Sequence, residues 1–230
     1  MQEAADHTYL AFDLADKYRM PVIVLADGMI GQMIEGVVLP PEKPLDSLPK
    51  RDWAAGRMYQ RAAASGSNRK DAVHITSIDL VPESLNAKTC ARFVRYDAIK
   101  AAEVRYEAVG CDDADLILVA YGTSARVCLG ARMLAEQQGI KLGLFRPITL
   151  WPFPLLELGT IAVSGKPILT VEMSLGQLVE DVKLSVLETA KMGPFPKEKP
   201  PAPVHFFGHS GGIIPTEEEV FTEAQRIIGN

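Results

Sequence analysis

From residue 115 onward the chain repeats one phrase. A short apolar run stops at a polar or glycine-bearing turn, and apolar positions at helical spacing follow. The runs are ADLILVA before Gly122-Thr123-Ser124, KLGLF before Arg146-Pro147, PILTV before Glu172, and VHFF before Gly208. Unbroken apolar runs, without polar alternation, mark strands covered on both faces, and strands joined through helices run parallel. The pattern predicts strands at 115–120, 141–145, 167–172 and 204–207, with helices at 124–138, around 154–163, 176–191 and 216–228. Gly139 is placed to close the first of these helices, and Thr216 with Glu219 reads as a capping box for the last. A Pro-rich loop, Lys191 to Pro203, precedes the last strand. The fold class predicted for 111–230 is therefore a parallel-sheet α/β domain, with functional groups gathered at the carboxyl ends of its strands.

The first half follows a different pattern. Leu10, Ala11, Leu14, Ala15 and Tyr18 give helical spacing over 3–19, and VIVLA after Pro21 reads as a buried strand ending at Asp27-Gly28. One buried strand makes no sheet, so this helix–strand pair is expected to be the tail of a domain whose other strands lie elsewhere. Prolines 40, 41, 44 and 49 make residues 37–50 an extended connector. Residues 51–82 are ambiguous, with Ser65-Gly66-Ser67-Asn68 a turn, and a long charged helix is predicted from Pro82 to about Val109. Three segments result: 1–36, a connector 37–110, and the α/β domain 111–230.

Composition narrows the function. A net charge of −5 argues against a nucleic-acid face, and the densest basic stretch, Arg57 to Lys70, reads as a solvated loop. No apolar run reaches the roughly 18 residues that a membrane helix needs, and the start MQEAADHTYL is no signal peptide, so a cytoplasmic location is expected. Cys90, Cys111 and Cys128 form no Cys-x-x-Cys pair, so neither an iron–sulfur cluster nor a structural zinc is expected on this chain. Cys128 reads as a small core residue.

Several turns could carry chemistry. Gly122-Thr123-Ser124 could offer amides and hydroxyls to a phosphate or carboxylate, but the dinucleotide and P-loop glycine patterns both fail, and a hydroxyl helix cap accounts for these residues. Asp27-Gly28 invites comparison with the Gly-Asp-Gly signature for magnesium and thiamine diphosphate. That signature needs an Asn pair some way downstream, and the asparagines are Asn68, Asn86 and Asn230 alone. Two readings stay open for Asp27, Gly28, Gly31 and Gln32: the edge of a site built mostly by other segments, or a strand-ending turn. Arg146 is expected to form an internal ion pair, with Glu172 the candidate partner at the neighbouring strand end. Trp151 and Phe153, in the rigid Trp-Pro-Phe-Pro turn, are expected to make a subunit contact. His7, His74, His205 and His209 have neither triad nor metal spacing, and Glu180, Asp181 and Glu188 read as a solvated helix face. From the residues, three readings are open: a subunit of a multi-chain enzyme, an atypical nucleotide or flavin domain, and a structural interaction module.

The turn sequences YGTSAR, GLFRPITLWPFP, EMSLGQLVEDV and GHSGGIIPT, taken together, resemble the second domain of the α subunit of 2-oxoacid:ferredoxin oxidoreductases. AFDLADKYRMPVIVLADGMIGQMIE and AEVRYE resemble the branched-chain, 2-ketoisovalerate (3-methyl-2-oxobutanoate) type. The resemblance implies oxidative decarboxylation of a 2-oxoacid with coenzyme A, giving acyl-CoA, carbon dioxide and reduced ferredoxin; pyruvate or 2-oxoglutarate is the alternative substrate. It implies thiamine diphosphate with Mg, held between a pyrimidine-binding domain and a pyrophosphate-binding β subunit. Iron–sulfur clusters are implied on γ and ferredoxin-like partner chains. Residues 111–230 then resemble the transketolase carboxyl-terminal domain, and 1–36 the tail of a pyrimidine-binding domain. The resemblance implies that the family's activating Glu and substrate-facing loop are expected to be missing from this chain. The chain is thus expected to be chiefly structural, inactive alone, and to bind none of these cofactors alone.

Overall fold

The computed structural model describes residues 1–47, 78–192 and 201–229. The Ser65–Asn68 turn, the Arg57–Lys70 stretch, His74 and most of the loop after Lys191 lie outside them. Two compact units divide the chain: Met1–Leu25 with Met33–Ala98, and Ala26–Gln32 with Ile99–Asn230. The expected segment 1–36 is thus split, because Ala26–Gln32 groups with the larger unit.

In the smaller unit, helix α1 spans Gln2–Tyr18 and has no buried residue. Arg19, with φ 53°, ends it in the left-handed region. The connector runs back along the helix. Gln2 exchanges side-chain hydrogen bonds with the backbone of Val38 at 2.8 and 2.9 Å, and Tyr9 Oη donates to Pro41 O at 2.8 Å. Lys43 pairs with Asp13 and lies over the Tyr9 ring. The strand predicted at 21–26 is corrected here. It has no ladder partner among the described residues, and Ile23 and Leu25 are 79% and 71% exposed. Its apolar residues lack the neighbouring strands that would make it part of a sheet.

In the larger unit a five-stranded sheet has the order β1-β3-β2-β4-β5. The strands are β1 Tyr106–Val109, β2 Leu116–Val119, β3 Leu142–Pro147, β4 Ile168–Glu172 and β5 Val204–Gly208. Between β2 and β5 all pairings are parallel, and β1 joins the β3 edge antiparallel. β1 is a second correction. The helix predicted to reach Val109 is α3 (Pro82–Ala102), which stops seven residues earlier. Tyr106, Glu107, Ala108 and Val109 then pair with Pro147, Arg146, Phe145 and Leu144. Cross-strand contacts favour this outcome. Tyr106 stacks on Phe145 with centroids 5.2 Å apart, and Arg146 Nε donates to Glu107 Oε2 at 2.9 Å.

Side chains alternate across each strand, so one sheet builds two cores. Leu116, Leu118, Leu144, Leu169 and Val171 face α4 (Gly122–Glu136) and α7 (Glu217–Ile228). Ile117, Val119, Phe145 and Ile168 face the side that carries α5 (Leu155–Ala162) and α6 (Leu178–Met192). Cys128 is fully buried in the first core, as expected, and burial pushes its thiol pKa far up. Gly139 closes the last turn of α4 at φ +75°, with Ile140 N–H donating to Ala135 O at 3.0 Å. Thr216 and Glu219 form the capping box on α7.

Helices α5 and α6 touch through a position that has no side chain. A Cβ on Gly159 would lie 1.8 Å from Thr189 Oγ1 and 2.7 Å from its Cβ. Gly159→Ala is therefore expected to destabilise the larger unit by about 1–3 kcal/mol, the usual cost of overpacking. Thermal melting of the variant checks this, and an unchanged midpoint would show that the two helices are free to separate.

Candidate functional site

At the carboxyl edge of the sheet the adjacent strands β2 and β4 hand over to α4 and α6, each with first-turn amides that need acceptors. The last residue of β4, Glu172, supplies them for α6. Its Oε2 accepts N–H from Gln177 and Leu178, both at 3.0 Å, and its Oε1 accepts N–H from Val179 at 3.2 Å. Ser174 Oγ donates to the same carboxylate at 2.6 Å. Glu172 is 2% exposed, and this ring of donors and the helix dipole is what makes a carboxylate tolerable there. The expected Arg146–Glu172 pair is corrected: Arg146 reaches Glu107 across the β1–β3 ladder, because the unforeseen edge strand puts a carboxylate directly opposite it.

Helix α4 is capped from a distance. The residue before it, Tyr121, makes no side-chain cap bond, so the expected hydroxyl cap by Thr123 or Ser124 is not formed. Asp27 provides the acceptor instead. Its Oδ2 accepts N–H from Thr123 at 3.2 Å, and its Oδ1 accepts N–H from Ile30 at 2.9 Å. The second bond caps the short helix α2 (Gly28–Gln32), which contains Gly28, Gly31 and Gln32. One carboxylate thus fastens a five-residue helix to an element almost a hundred residues away. Gly122 makes room for it, with φ +57° and a Cβ position only 3.2 Å from Asp27 Oδ2. Burial works to raise the Asp27 pKa, and the amide of Ile30, the side chain and amide of Thr123 and the amide of Met29 outweigh it, so the group lies below the ordinary carboxylate value.

β2 and β4 are neighbours, yet the helices that follow them cover opposite faces of the sheet. Such a topological switch point leaves a crevice where the two chains diverge. The crevice is a cavity of about 120 Å³ lined by Asp27, Tyr121, Ser124, Glu172 and Met173. Three expected residues, Asp27, Ser124 and Glu172, therefore meet at one site, with Gly122 and Thr123 against Asp27. Arg146, Trp151 and Phe153 line no part of it. Phe153 packs partly buried on the second core, and Trp151, joined to Pro152 by a cis peptide bond, is 55% exposed. Tyr121 and Met173 escaped the sequence reading. Tyr121 had a usable signal, since it stands between an apolar run and the glycine turn.

Charge decides what the crevice accepts. Two of its five lining residues are carboxylates, and none is Lys, Arg or His. Burial first, then the charges of Glu172 and Asp27, raises the Tyr121 pKa. Burial and Glu172 also raise that of Asp181. The field is negative and disfavours phosphate and carboxylate ligands. Helix amides that would bind such an anion already hold the protein's own carboxylates. His209 is not among the lining residues: its backbone N–H donates to Glu172 O at 3.3 Å, and its ring lies 3.4 Å from Glu219 at the cap of α7. Among the described residues no three His, Cys, Asp or Glu side chains could hold a metal ion, and no helix is long and apolar enough to cross a membrane.

Two family models match the chain. Residues 1–92 match "Pyruvate flavodoxin/ferredoxin oxidoreductase, thiamine diP-bdg", and residues 114–220 match "Pyruvate:ferredoxin oxidoreductase core domain II". The ketoisovalerate oxidoreductase subunit VorB of Methanothermobacter marburgensis is 42% identical over 185 residues, 80% of this chain and 50% of that one. The 2-oxoglutarate synthase subunit KorA of the same organism is 29% identical over 213 residues, covering 86% of this chain and 57% of the relative. The chain thus spans about half the length of the curated relatives it matches. A solved 2-oxoglutarate:ferredoxin oxidoreductase from Magnetococcus marinus superposes with a TM-score of 0.49 at 19% identity, over 65% of this chain and 24% of that one.

Removing the Asp27 staple tests the geometry. Asp27→Ala is expected to cost about 1–2 kcal/mol, the range for a lost helix cap, and Asp27→Asn less, because Asn also caps. Its folded pKa is lowered, so its contribution is present above the unfolded value of about 4 and is lost as pH falls through the folded value. Urea unfolding at a series of pH values should therefore show a shallower acid loss of stability in Asp27→Asn than in the parent. Identical pH dependence would remove Asp27 from this role.

Proposed function

Because the chain belongs to the pyruvate flavodoxin/ferredoxin oxidoreductase family, we propose that it is part of one subunit of a thiamine-diphosphate-dependent 2-oxoacid:ferredoxin oxidoreductase with a branched-chain 2-oxoacid as substrate. The assembled enzyme would convert 2-oxoacid, coenzyme A and oxidised ferredoxin into acyl-CoA, carbon dioxide and reduced ferredoxin. The observation that carries this reading is the 42% identity with a ketoisovalerate oxidoreductase subunit across 80% of the chain. The 29% identity with a 2-oxoglutarate synthase subunit makes that substrate the second choice.

The cofactor's diphosphate does not fit the switch-point crevice. Both helix N-termini there are filled by Asp27 and Glu172, and a dianionic group beside two carboxylates would be repelled. In this reading a β-type partner holds the diphosphate and magnesium, and iron–sulfur clusters lie on γ and ferredoxin-like chains. This chain's part is structural. Residues 111–230 form an assembly domain, 1–36 the end of a pyrimidine-binding domain, and α2 the edge of the shared active site. Trp151 supplies a subunit contact, supported by its 55% exposure on a rigid Pro-rich turn, and Phe153 holds that turn against the core. A cytoplasmic location fits ferredoxin as the electron acceptor.

Coexpression with the thiamine-diphosphate-binding partner and the ferredoxin-like chains tests the function. Coenzyme-A-dependent reduction of ferredoxin should be faster with 2-ketoisovalerate than with pyruvate or 2-oxoglutarate. A preference for 2-oxoglutarate would transfer the substrate assignment, and an assembled complex without any such activity would end the proposal. In the same system, Trp151→Ala should weaken assembly by about 2 kcal/mol or more, as interface tryptophans do, while the chain's circular dichroism is unchanged. Undiminished assembly would remove Trp151 from the interface.

A further inference from the structure

We propose that the crevice between β2 and β4 receives the guanidinium group of an arginine from a partner subunit, seated between Asp27 and Glu172 and hydrogen-bonded to the Ser124 hydroxyl. This rests on the reading of the chain as one subunit of an assembly, and it adds what the partner inserts and where.

Ser124 is the first observation. It is 2% exposed as a residue and lines the cavity, and its hydroxyl, for which no hydrogen bond to a described residue is seen, opens onto that cavity rather than being closed in. A hydroxyl open to a cavity can both donate to and accept from a group that enters it. The second observation is the supply of acceptors. Glu172 Oε1 accepts one hydrogen bond from the chain and can take a second, while Asp27, already held by Ile30, Thr123 and Met29, contributes chiefly its charge. With the hydroxyls of Ser124 and Tyr121, acceptors face the cavity from several directions. A planar fork of five N–H donors meets more of them at once than an ammonium can. No basic residue lines the cavity to neutralise the two carboxylates from within.

Size and surroundings choose the carrier. The cavity of about 120 Å³ holds a guanidinium and its adjoining methylene, and falls short of the roughly 300 Å³ at which pockets for whole small molecules begin. The loops that leave β3, β4 and β5 at the same edge of the sheet carry Trp151, Leu175 and Ile213, which are 55%, 79% and 61% exposed. An acidic recess on an edge with exposed apolar side chains is the complement of a protein surface with an arginine at its centre, the residue enriched among interface hot spots.

The test has two arms. In the first, methylguanidinium chloride is titrated into the chain alone and followed by backbone amide shifts, with sodium chloride at equal ionic strength as control. Saturable shifts at Tyr121, Ser124 and Met173 are expected, weakened about tenfold by Ser124→Ala and further by Asp27→Asn, with folding checked by circular dichroism. Shifts that match the salt control, or binding equally strong in Ser124→Ala, would overturn the pocket. In the second arm the coexpressed complex is challenged with methylguanidinium and with Ser124→Ala, both of which should weaken subunit association about tenfold. Methylguanidinium binding to the chain without any effect on association would overturn the partner as the source of the cation and leave a small guanidinium compound as the ligand. If the chain joins no complex, the assembly reading fails by itself, and the first arm still decides the pocket.

Discussion

A parallel sheet concentrates positive helix ends along its carboxyl edge, and every amide there needs an acceptor. In nucleotide-binding relatives of this architecture a ligand phosphate serves that need. Here two carboxylates of the chain do so. Glu172 closes α6 from the adjoining strand end, and Asp27 closes α4 from a remote part of the sequence. What the crevice can hold, how α2 is fixed and why Gly122 lacks a side chain all follow from that substitution. An edge satisfied internally has no remaining use for an anion, and its unneutralised charge favours a cation.

Asp27 and Glu172 solve the same problem in different ways. Glu172 is buried, local in sequence and held by three amides and a hydroxyl, so its loss would leave α6 uncapped inside the protein. Asp27 divides its two oxygens between two helices, so its loss releases α2 while α4 keeps its packing on the first core. The first carboxylate is part of the fold. The second is a fastening, and fastenings are where an assembly can act on a subunit without unfolding it.

Much of this was legible in the sequence. Apolar runs such as LILV and ILTV placed the buried strands because both faces of the sheet are covered. Gly139 and the Thr216–Glu219 pair announced helix ends through local chemistry alone. The failures were all non-local. Tyr106 to Val109 continues a plausible helical pattern, and only the free edge of β3 makes it a strand. Arg146 found Glu107 because of that strand. Thr123 and Ser124 looked like caps because nothing near them in sequence reveals that Asp27 arrives from upstream. Residues 22–26 read as a strand from composition, and a strand exists only where a neighbour pairs with it.

Glu172 also bears on how β4 finds its place. A strand with one wet face is held in register because a slip of one residue would expose its apolar side. β4 is buried on both faces, so for Ile168, Leu169 and Val171 a slip merely exchanges one oily environment for another. For Glu172 it does not. Moved by one position, the carboxylate would lose the three amides and the hydroxyl that hold it at the start of α6. The most polar residue of the strand is thus the one that makes its alignment unique, and it does so by the cost of every alternative.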